Sequence, residues 1–346
     1  MASPSYRTIY LVCHARVRTG GPEAIHQLGR ALLDLGHDAR IVYCQAGVTP
    51  VADAGVVRFP VLDDPMPPAY THYDVPRAWE VPDLPDIAVV LPEMEPVLSG
   101  VFQQATPHVW WLSIDHGLRA VEAFGGFGAF RGTSCIHLCQ SFYALEYLRQ
   151  HDLYGLPLFD YTAPEHTAAA DAIGTLPRQD RILYPARGAW FTNHLRRWAP
   201  GLDWQELKGF TPPQVQELFL TSKLYVDFGS HPGKDRMPRE AALLGCCIIT
   251  GRNGAAANPF DIPIPDRYKF RGARWQVPMI VRAIKAALAD YEERTSDFTT
   301  YRRMIGGERL EFIAQAARIF GGDFAAARAA QRAAAEPVRP AQIPAA

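Results

Sequence analysis

Short apolar runs alternate along the chain with segments whose apolar residues recur every third or fourth position, and this alternation predicts the element order. TIYLVC is an apolar run that ends before a Gly-Gly turn. PEAIHQLGRALLDLG then carries Ile25, Leu28, Leu32 and Leu35 at helical spacing and closes on Gly36, and ARIVYC is a second strand. IAVVL (87–91), HVWWLSI (108–114) and SCIHLC (134–139) read as further strands, the last followed by the helical SFYALEYLRQH. Together they predict one parallel-sheet domain.

The pattern begins again at RILYPA (181–186). A helix at FTNHLRRWAP, DWQELKGF, a helical PPQVQELFLTS, the strand KLYVDFG, a helix at PREAALLG and the strand CCIIT follow in turn. Two doubly wound α/β domains are therefore expected, joined near residues 155–180, where LYGLPLFDYTAPEHTAAADAIGTLP is irregular, with the cleft between them as the default site. The boundaries read as 1–165 for the first domain and 178–304 for the second. From Trp275 onward only helices are expected, those near 305–330 packing back on the first domain, and 331–346 reads as a low-complexity, flexible tail.

Composition narrows the classes. The 346 residues are 48% hydrophobic and 21% charged, as in soluble globular chains, and 35 basic against 36 acidic residues leave a net charge of −1. That balance offers no broad basic face, so a nucleic-acid partner is not expected. No run of about 18 uncharged apolar residues is present and no signal-peptide core follows MASPSYR, which predicts a cytoplasmic protein without a transmembrane segment and leaves peripheral membrane contact open. Six cysteines lie mostly in strand-like runs and read as buried thiols. CIHLC has no second ligand pair to complete a structural zinc site, so no metal site is expected.

The chemistry concentrates in DFGSHPGKDRMPREAALLGC (227–246). A loop that only reverses the chain has no need of Lys234, Arg236 and Arg239 together. At the carboxyl end of a strand in a doubly wound sheet, free N–H groups and added cations suit an anion. Gly229 and Gly233 would bring the backbone near a phosphate-bearing ligand, and Pro238 suits the first turn of the helix that follows. Glu240 has two readings: a carboxylate in the first helical turn, favoured by the dipole, or an acceptor for the vicinal hydroxyls of a ribose. On the first domain, HVWWLSI ends at Asp115-His116, a pair suited to a general base with its orienter, or to a helix cap. Glu93 and Glu95 in PEMEP read as solvated.

GSHPGKDRMPREAALLGCCIIT resembles the donor-site motif of retaining GT-B glycosyltransferases of the family 4-like, group 1 type, whose fold is two Rossmann-like domains facing a central cleft. The resemblance implies that Glu240 matches the family's second glutamate, which holds the nucleotide ribose, and that Gly233 matches the glycine after the first. Pro232, beside His231, stands in place of the first glutamate, which leaves that contact to Asp235 or to a different donor. TGGPEAIHQLGRALLDLGHDARIVY resembles the family's first Gly-Gly loop and helix, with Gly20 and Gly21 facing the donor phosphates. YPARGAWFT resembles the start of the donor domain and offers Arg187 to the diphosphate; TGRNGAAANPFDIPIP adds Gly251, Asn253 and Gly254 at the next strand end. Read from residue pattern alone, the Gly-Gly pair is equally a common turn, Arg187 a surface arginine and the 251–254 segment a flexible loop.

The resulting expectation is a retaining, metal-independent hexosyltransferase of carbohydrate biosynthesis that needs no cofactor. Its partners are a nucleotide-diphosphate-sugar donor and a carbohydrate or other small-molecule acceptor. Asp115 and His116 sit on the acceptor side, while Lys234, Arg187 and Arg236 stabilise the leaving diphosphate. No Asp-x-Asp pair at a strand end suggests a metal. A nucleotide-sugar epimerase of the same fold, using Asp115, His116 and His231, and a non-catalytic sugar-nucleotide binder remain open alternatives.

Overall fold

A computed structural model describes residues 6–45 and 47–322. It divides into two compact units: one holds the chain up to Val90, Phe102–Thr106 and the chain from Leu310 onward, the other Leu91–Val101 and Pro107–Arg309. The tail expected at 331–346 lies outside the described residues.

In the first unit, β1 (Thr8–His14), α1 (Gly20–Asp34) and β2 (Asp38–Cys44) form the expected β-α-β turn of chain. β3 (Val51–Asp53), β4 (Val56–Arg58), β5 (Arg77–Ala78), β6 (Glu80–Pro82) and β7 (Ile87–Pro92) follow. Parallel strands run in the order β7-β1-β2-β5, with Thr8 opposite both Asp38 and Ile87. β3, β4 and β6 make a small antiparallel sheet that the hydrophobic pattern does not predict. Its hairpin turns on Ala54 and Gly55, both at positive φ (49° and 76°), the backbone a tight two-residue turn takes. The far end of the chain belongs here too: the rings of Tyr6 and Phe320 lie 6.4 Å apart, and His37 Nε2 is 3.0 Å from the Gly321 carbonyl.

The second unit begins with β8 (Thr106–Trp111), α2 (Ile114–Phe124), β9 (Ile136–Cys139), α3 (Phe142–Gln150) and β10 (Gly155–Pro157), the parallel strands lying in the order β10-β9-β8. After α4 (Pro164–Ala169) come β11 (Gln179–Pro185), α5 (Trp190–Trp198), β12 (Asp203–Leu207), α6 (Pro212–Thr221), β13 (Ser222–Asp227), α7 (Arg236–Leu243) and β14 (Cys247–Thr250). These four strands are parallel in the order β12-β11-β13-β14. α8 (Val277–Ala289), α9 (Tyr291–Arg294) and α10 (Thr299–Phe320) close the described chain.

Leu224, Tyr225 and Val226 of β13 and Cys247, Ile248 and Ile249 of β14 are wholly buried, because helices cover both faces of a parallel sheet; this is why these strands are apolar without alternation. The chain leaves β11 toward β12 and then crosses to the other side for β13. In such sheets that switch point opens a crevice at the carboxyl ends of the strands. The loops after β11 and β13 meet there, and a Cβ built on Gly188 would lie 2.5 Å from the Gly229 Cα. Glycine at both positions is what allows the approach.

Candidate functional site

The loop after β13 folds around Asp227, whose Oδ1 accepts the Gly229 N–H (2.8 Å) and whose Oδ2 accepts the Tyr225 hydroxyl (2.9 Å). His231 is completely buried beside it. Its Nε2 lies 3.8 Å from Asp227 Oδ1 and its Nδ1 3.1 Å from Asp235 Oδ2. Burial works against a charged ring, but the two carboxylates outweigh it and hold the His231 pKa above the ordinary histidine value. On its outer side Asp235 pairs with the exposed Arg187 at 3.1 Å. A cation, a carboxylate and a buried imidazole thus follow one another from solvent into the loop.

The next residues turn inward. The Lys234 backbone is held at both ends by one side chain: its N–H donates to Gln140 Oε1 (2.7 Å), and its carbonyl accepts from Gln140 Nε2 (3.1 Å). Its ammonium, on a side chain only 6% exposed, sits 2.7 Å from Glu308 Oε1 on α10. Arg239 is wholly buried, its Nη2 lying 2.9 and 3.0 Å from the two Asp160 oxygens and 2.9 Å from the Lys234 carbonyl, with Nη1 on Glu308 Oε2 at 3.0 Å. Arg236 Nε approaches Asp160 at 3.4 Å, and Thr162 donates to Glu308 from both its N–H and its hydroxyl. Burial alone would push Asp160 and Glu308 up. Arg239 with Arg236 and Lys234 holds Asp160 below its ordinary pKa, and Arg239 with Lys234 does the same for Glu308; those two carboxylates in turn keep the buried Arg239 charged.

Several expectations differ from these positions. Lys234 and Arg239 turn toward Glu308 and Asp160 rather than outward, because a buried cation needs a paired carboxylate. Gly233 makes its close approach to protein: a Cβ there would stand 2.3 Å from the Leu112 carbonyl and 2.9 Å from Gln140 Oε1. α7 starts at Arg236, so Pro238 is its third residue and Glu240 its fifth, beyond the first turn where a carboxylate gains from the dipole. Glu240 instead lies 3.5 Å from His166 Nε2 of α4. Glu93 is buried rather than solvated. Its Oε2 accepts the Leu112 N–H at 3.3 Å, and burial pushes its pKa up to about 8 against three backbone donors.

Gly20 and Gly21 are the first residues of α1, behind the N-cap Thr19, and belong to the first unit. Asp115 and His116 are not strand-end residues, since β8 stops at Trp111; they are exposed in the first turn of α2, where Tyr143 donates to Asp115 at 3.0 Å. Ile114, just before them, gives its N–H to the Pro232 carbonyl (2.9 Å), so α2 starts against the β13 loop. The third loop closes on the same spot. Ala255 N–H binds the His231 carbonyl at 2.8 Å, Asn253 Nδ2 reaches the Gly229 carbonyl at 3.4 Å, and a Cβ on Gly254 (φ 53°) would stand 2.0 Å from the His231 oxygen. Gly251 gives its N–H to the Asp227 carbonyl. Within the second unit, then, Arg187, His231, Gly233, Asp235, Gly251, Asn253 and Gly254 converge, with Asp115 and His116 adjacent.

Sequence reading missed Asp160, Gln140 and Glu308, which hold the loop from outside it, and Asp261, whose two oxygens accept the Phe142 and Tyr143 N–H groups at the start of α3 (2.8 Å each). The only local signal is Lys234 and Arg239 themselves, for cations flanked by Ala-Ala-Leu-Leu and a buried strand require partners from elsewhere.

No protein-family model matches the chain, and no curated protein matches it. Solved structures do. The catalytic domain of starch synthase IV from Arabidopsis thaliana, bound to ADP and acarbose, is similar at a TM-score of 0.51 and 11% identity, over 91% of this chain and 99% of that one. Sucrose-phosphate synthase from Thermosynechococcus elongatus gives 0.55 and 13%, over 95% and 100%. The pneumococcal O-GlcNAc transferase GtfA, in complex with UDP and GlcNAc, gives 0.57 and 9%, over 91% and 98%. The chain thus has a mixed α/β fold with parallel sheets, that of the GT-B glycosyltransferases.

Proposed function

We propose that the protein is a glycosyltransferase that moves a sugar from a nucleoside-diphosphate sugar to an acceptor hydroxyl, with retention and without a metal ion. The observation that carries this reading is the Ile114–Pro232 hydrogen bond, which sets the α2 residues Asp115 and His116 beside the loop that joins β13 to α7, at the switch point of the donor sheet. The fold supports it, since the similar proteins include a starch synthase, a sucrose-phosphate synthase and an O-GlcNAc transferase, the first and last of them solved with a nucleoside diphosphate. The six free cysteines suit a reducing compartment, and the reading places the reaction in the cytoplasm.

In this reading the exposed guanidinium of Arg187 and the amide of Asn253 meet the diphosphate, and Glu240 takes the ribose hydroxyls, displacing His166. Lys234 acts at one remove, holding the loop through Glu308. As the bond from the anomeric carbon to the diphosphate oxygen breaks, the acceptor oxygen bonds to that carbon and its proton passes to a base. In this reading Asp115 or His116 is that base.

Titration calorimetry with nucleoside, monophosphate and diphosphate in EDTA tests the site. Arg187→Ala weakens the diphosphate and leaves the nucleoside unchanged. Glu240→Gln weakens every nucleotide by about 1.5–3 kcal/mol, the worth of a charge-assisted hydrogen bond. Binding only with magnesium or manganese refutes the metal-free site, and affinities equal to wild type in both variants refute the donor placement. Pro232 in place of the family's first glutamate also favours a second reading, a binder without turnover. Hydrolysis or transfer of a bound donor excludes that reading, whereas release of an epimerised sugar nucleotide without acceptor returns the fold to epimerase chemistry.

A further inference from the structure

The donor sheet carries on its outer helices a surface that sugar transfer does not explain. α5 packs beside α8, and a Cβ built on Gly272, five residues before α8, would lie 3.8 Å from the Phe191 ring of α5. Trp190 at the start of α5 is 69% exposed, Trp275 just before α8 is 70% exposed, and Met279 on the first turn of α8 is 51% exposed. Burying such side chains is the normal outcome of folding, so three of them outward around one helix pair are a cost that a partner would recover.

The chain segments that carry them are rich in cations. Between Asp266 and Asp290 the chain has six basic residues and no acidic one, though Arg267 pairs with Asp297 and Lys269 is buried; on the α5 side Arg181 and Arg187 pair with Asp203 and Asp235, which leaves Arg196 and Arg197. Arg271, Arg274, Arg282 and Lys285 are exposed and form no salt bridge among the described residues, and Arg197 shares the α5 face of Trp190, seven residues on. The whole chain has a net charge of −1, so this is a local accumulation, not a reflection of overall composition. On α8 the exposed positions 278, 279, 282, 285 and 289 form one stripe, while Ile280, Ile284 and Leu288 face the core.

We propose that the α5–α8 face docks on an anionic lipid surface, with Trp190, Trp275 and Met279 entering the headgroup region and the unpaired cations lying over the acidic headgroups. Indole rings favour that boundary, and an exposed stripe in which Pro278, Met279 and Ala289 alternate with Arg282 and Lys285 offers both apolar contact and charge to it. A nucleic acid would use the cations and stack on the indoles but would give Met279, 51% exposed, no apolar surroundings, which favours lipid. The inference does not depend on sugar transfer.

Flotation of the full-length protein with phosphatidylcholine vesicles, with and without phosphatidylglycerol, tests it. Wild type floats with the anionic vesicles at low salt, floats far less with the neutral ones, and is released by high salt. Arg274→Gln with Arg282→Gln lowers binding roughly 30-fold, two cations at the membrane surface being removed. Trp190→Ser with Trp275→Ser abolishes flotation and the blue shift of tryptophan emission that vesicles cause, while the melting temperature and nucleotide affinity stay at wild-type values. Equal binding to neutral and anionic vesicles, absence of binding, or flotation unchanged in both variants overturns the proposal. So does single-stranded DNA capturing the protein where vesicles do not, or loss of nucleotide affinity in the tryptophan variant, which would assign those rings to the donor site.

Discussion

Replacing Arg239 by Met tests whether the ion network holds the loop. The guanidinium makes two contacts with Asp160 and one with Glu308, all at 2.9–3.0 Å, and has no exposed surface. Met keeps most of the stem volume, so the main loss is electrostatic: two buried carboxylates are left with Lys234 at 2.7 Å and Arg236 at 3.4 Å as their cations. Removing one partner of a buried pair costs about 3–5 kcal/mol, a large share of a typical stability of roughly 5–15 kcal/mol. The pH dependence fixes the sign. In the wild type both carboxyls titrate below their ordinary values of 3.8 and 4.5, so their contribution is complete at neutral pH and is lost as pH falls through the folded pKa. In Arg239→Met the main cause of that depression is gone and burial remains, so the carboxyls take up protons at higher pH and the destabilisation narrows from pH 7 to pH 5. Urea unfolding followed by tryptophan fluorescence at the two pH values measures both. A cost under about 1 kcal/mol at pH 7, or one that does not change by pH 5, refutes the network as the element that fixes the loop.

Other outcomes follow from the same geometry. Gly233→Ala and Gly254→Ala each drive a methyl against a backbone carbonyl and should lower the melting temperature by several degrees, whereas Gly306→Ala, with nothing within 4 Å, should not; equal effects refute the close packing. Glu93, with its pKa near 8 against 4.5 unfolded, makes stability fall as pH rises between those values, by up to roughly 4–5 kcal/mol at 1.36 kcal/mol per unit; Glu93→Gln should flatten the profile, and an unchanged slope refutes its burial. His231, raised above 6.5, contributes stability that is complete below that pH and lost as pH rises through its folded pKa; loss of this alkaline dependence in His231→Gln, measured by thermal unfolding, is the check.

How far the sequence alone determined this protein can be judged from particular residues. The strands β8, β9, β11, β13 and β14 and the helices α1, α3, α5 and α7 were legible because apolar runs and helical spacing are local, and a strand covered on both faces must be apolar throughout. The convergence of the 228–235 and 251–254 loops was legible too, since alternating strands and helices place such loops at one edge of a parallel sheet. The partners were not. Lys234 and Arg239 announced a need for negative charge, and a ligand and a buried carboxylate meet that need equally well from the point of view of the chain. Only the fold brings Asp160, 79 residues before Arg239, and Glu308, 69 residues after it, within 3.0 Å. The small sheet of β3, β4 and β6 was invisible because strands of three residues are too short for a periodicity to register. Burial of Glu93 likewise depends on Gly117 and Leu112, brought together only in the folded chain, and no local pattern separates a solvated carboxylate from one that the fold encloses.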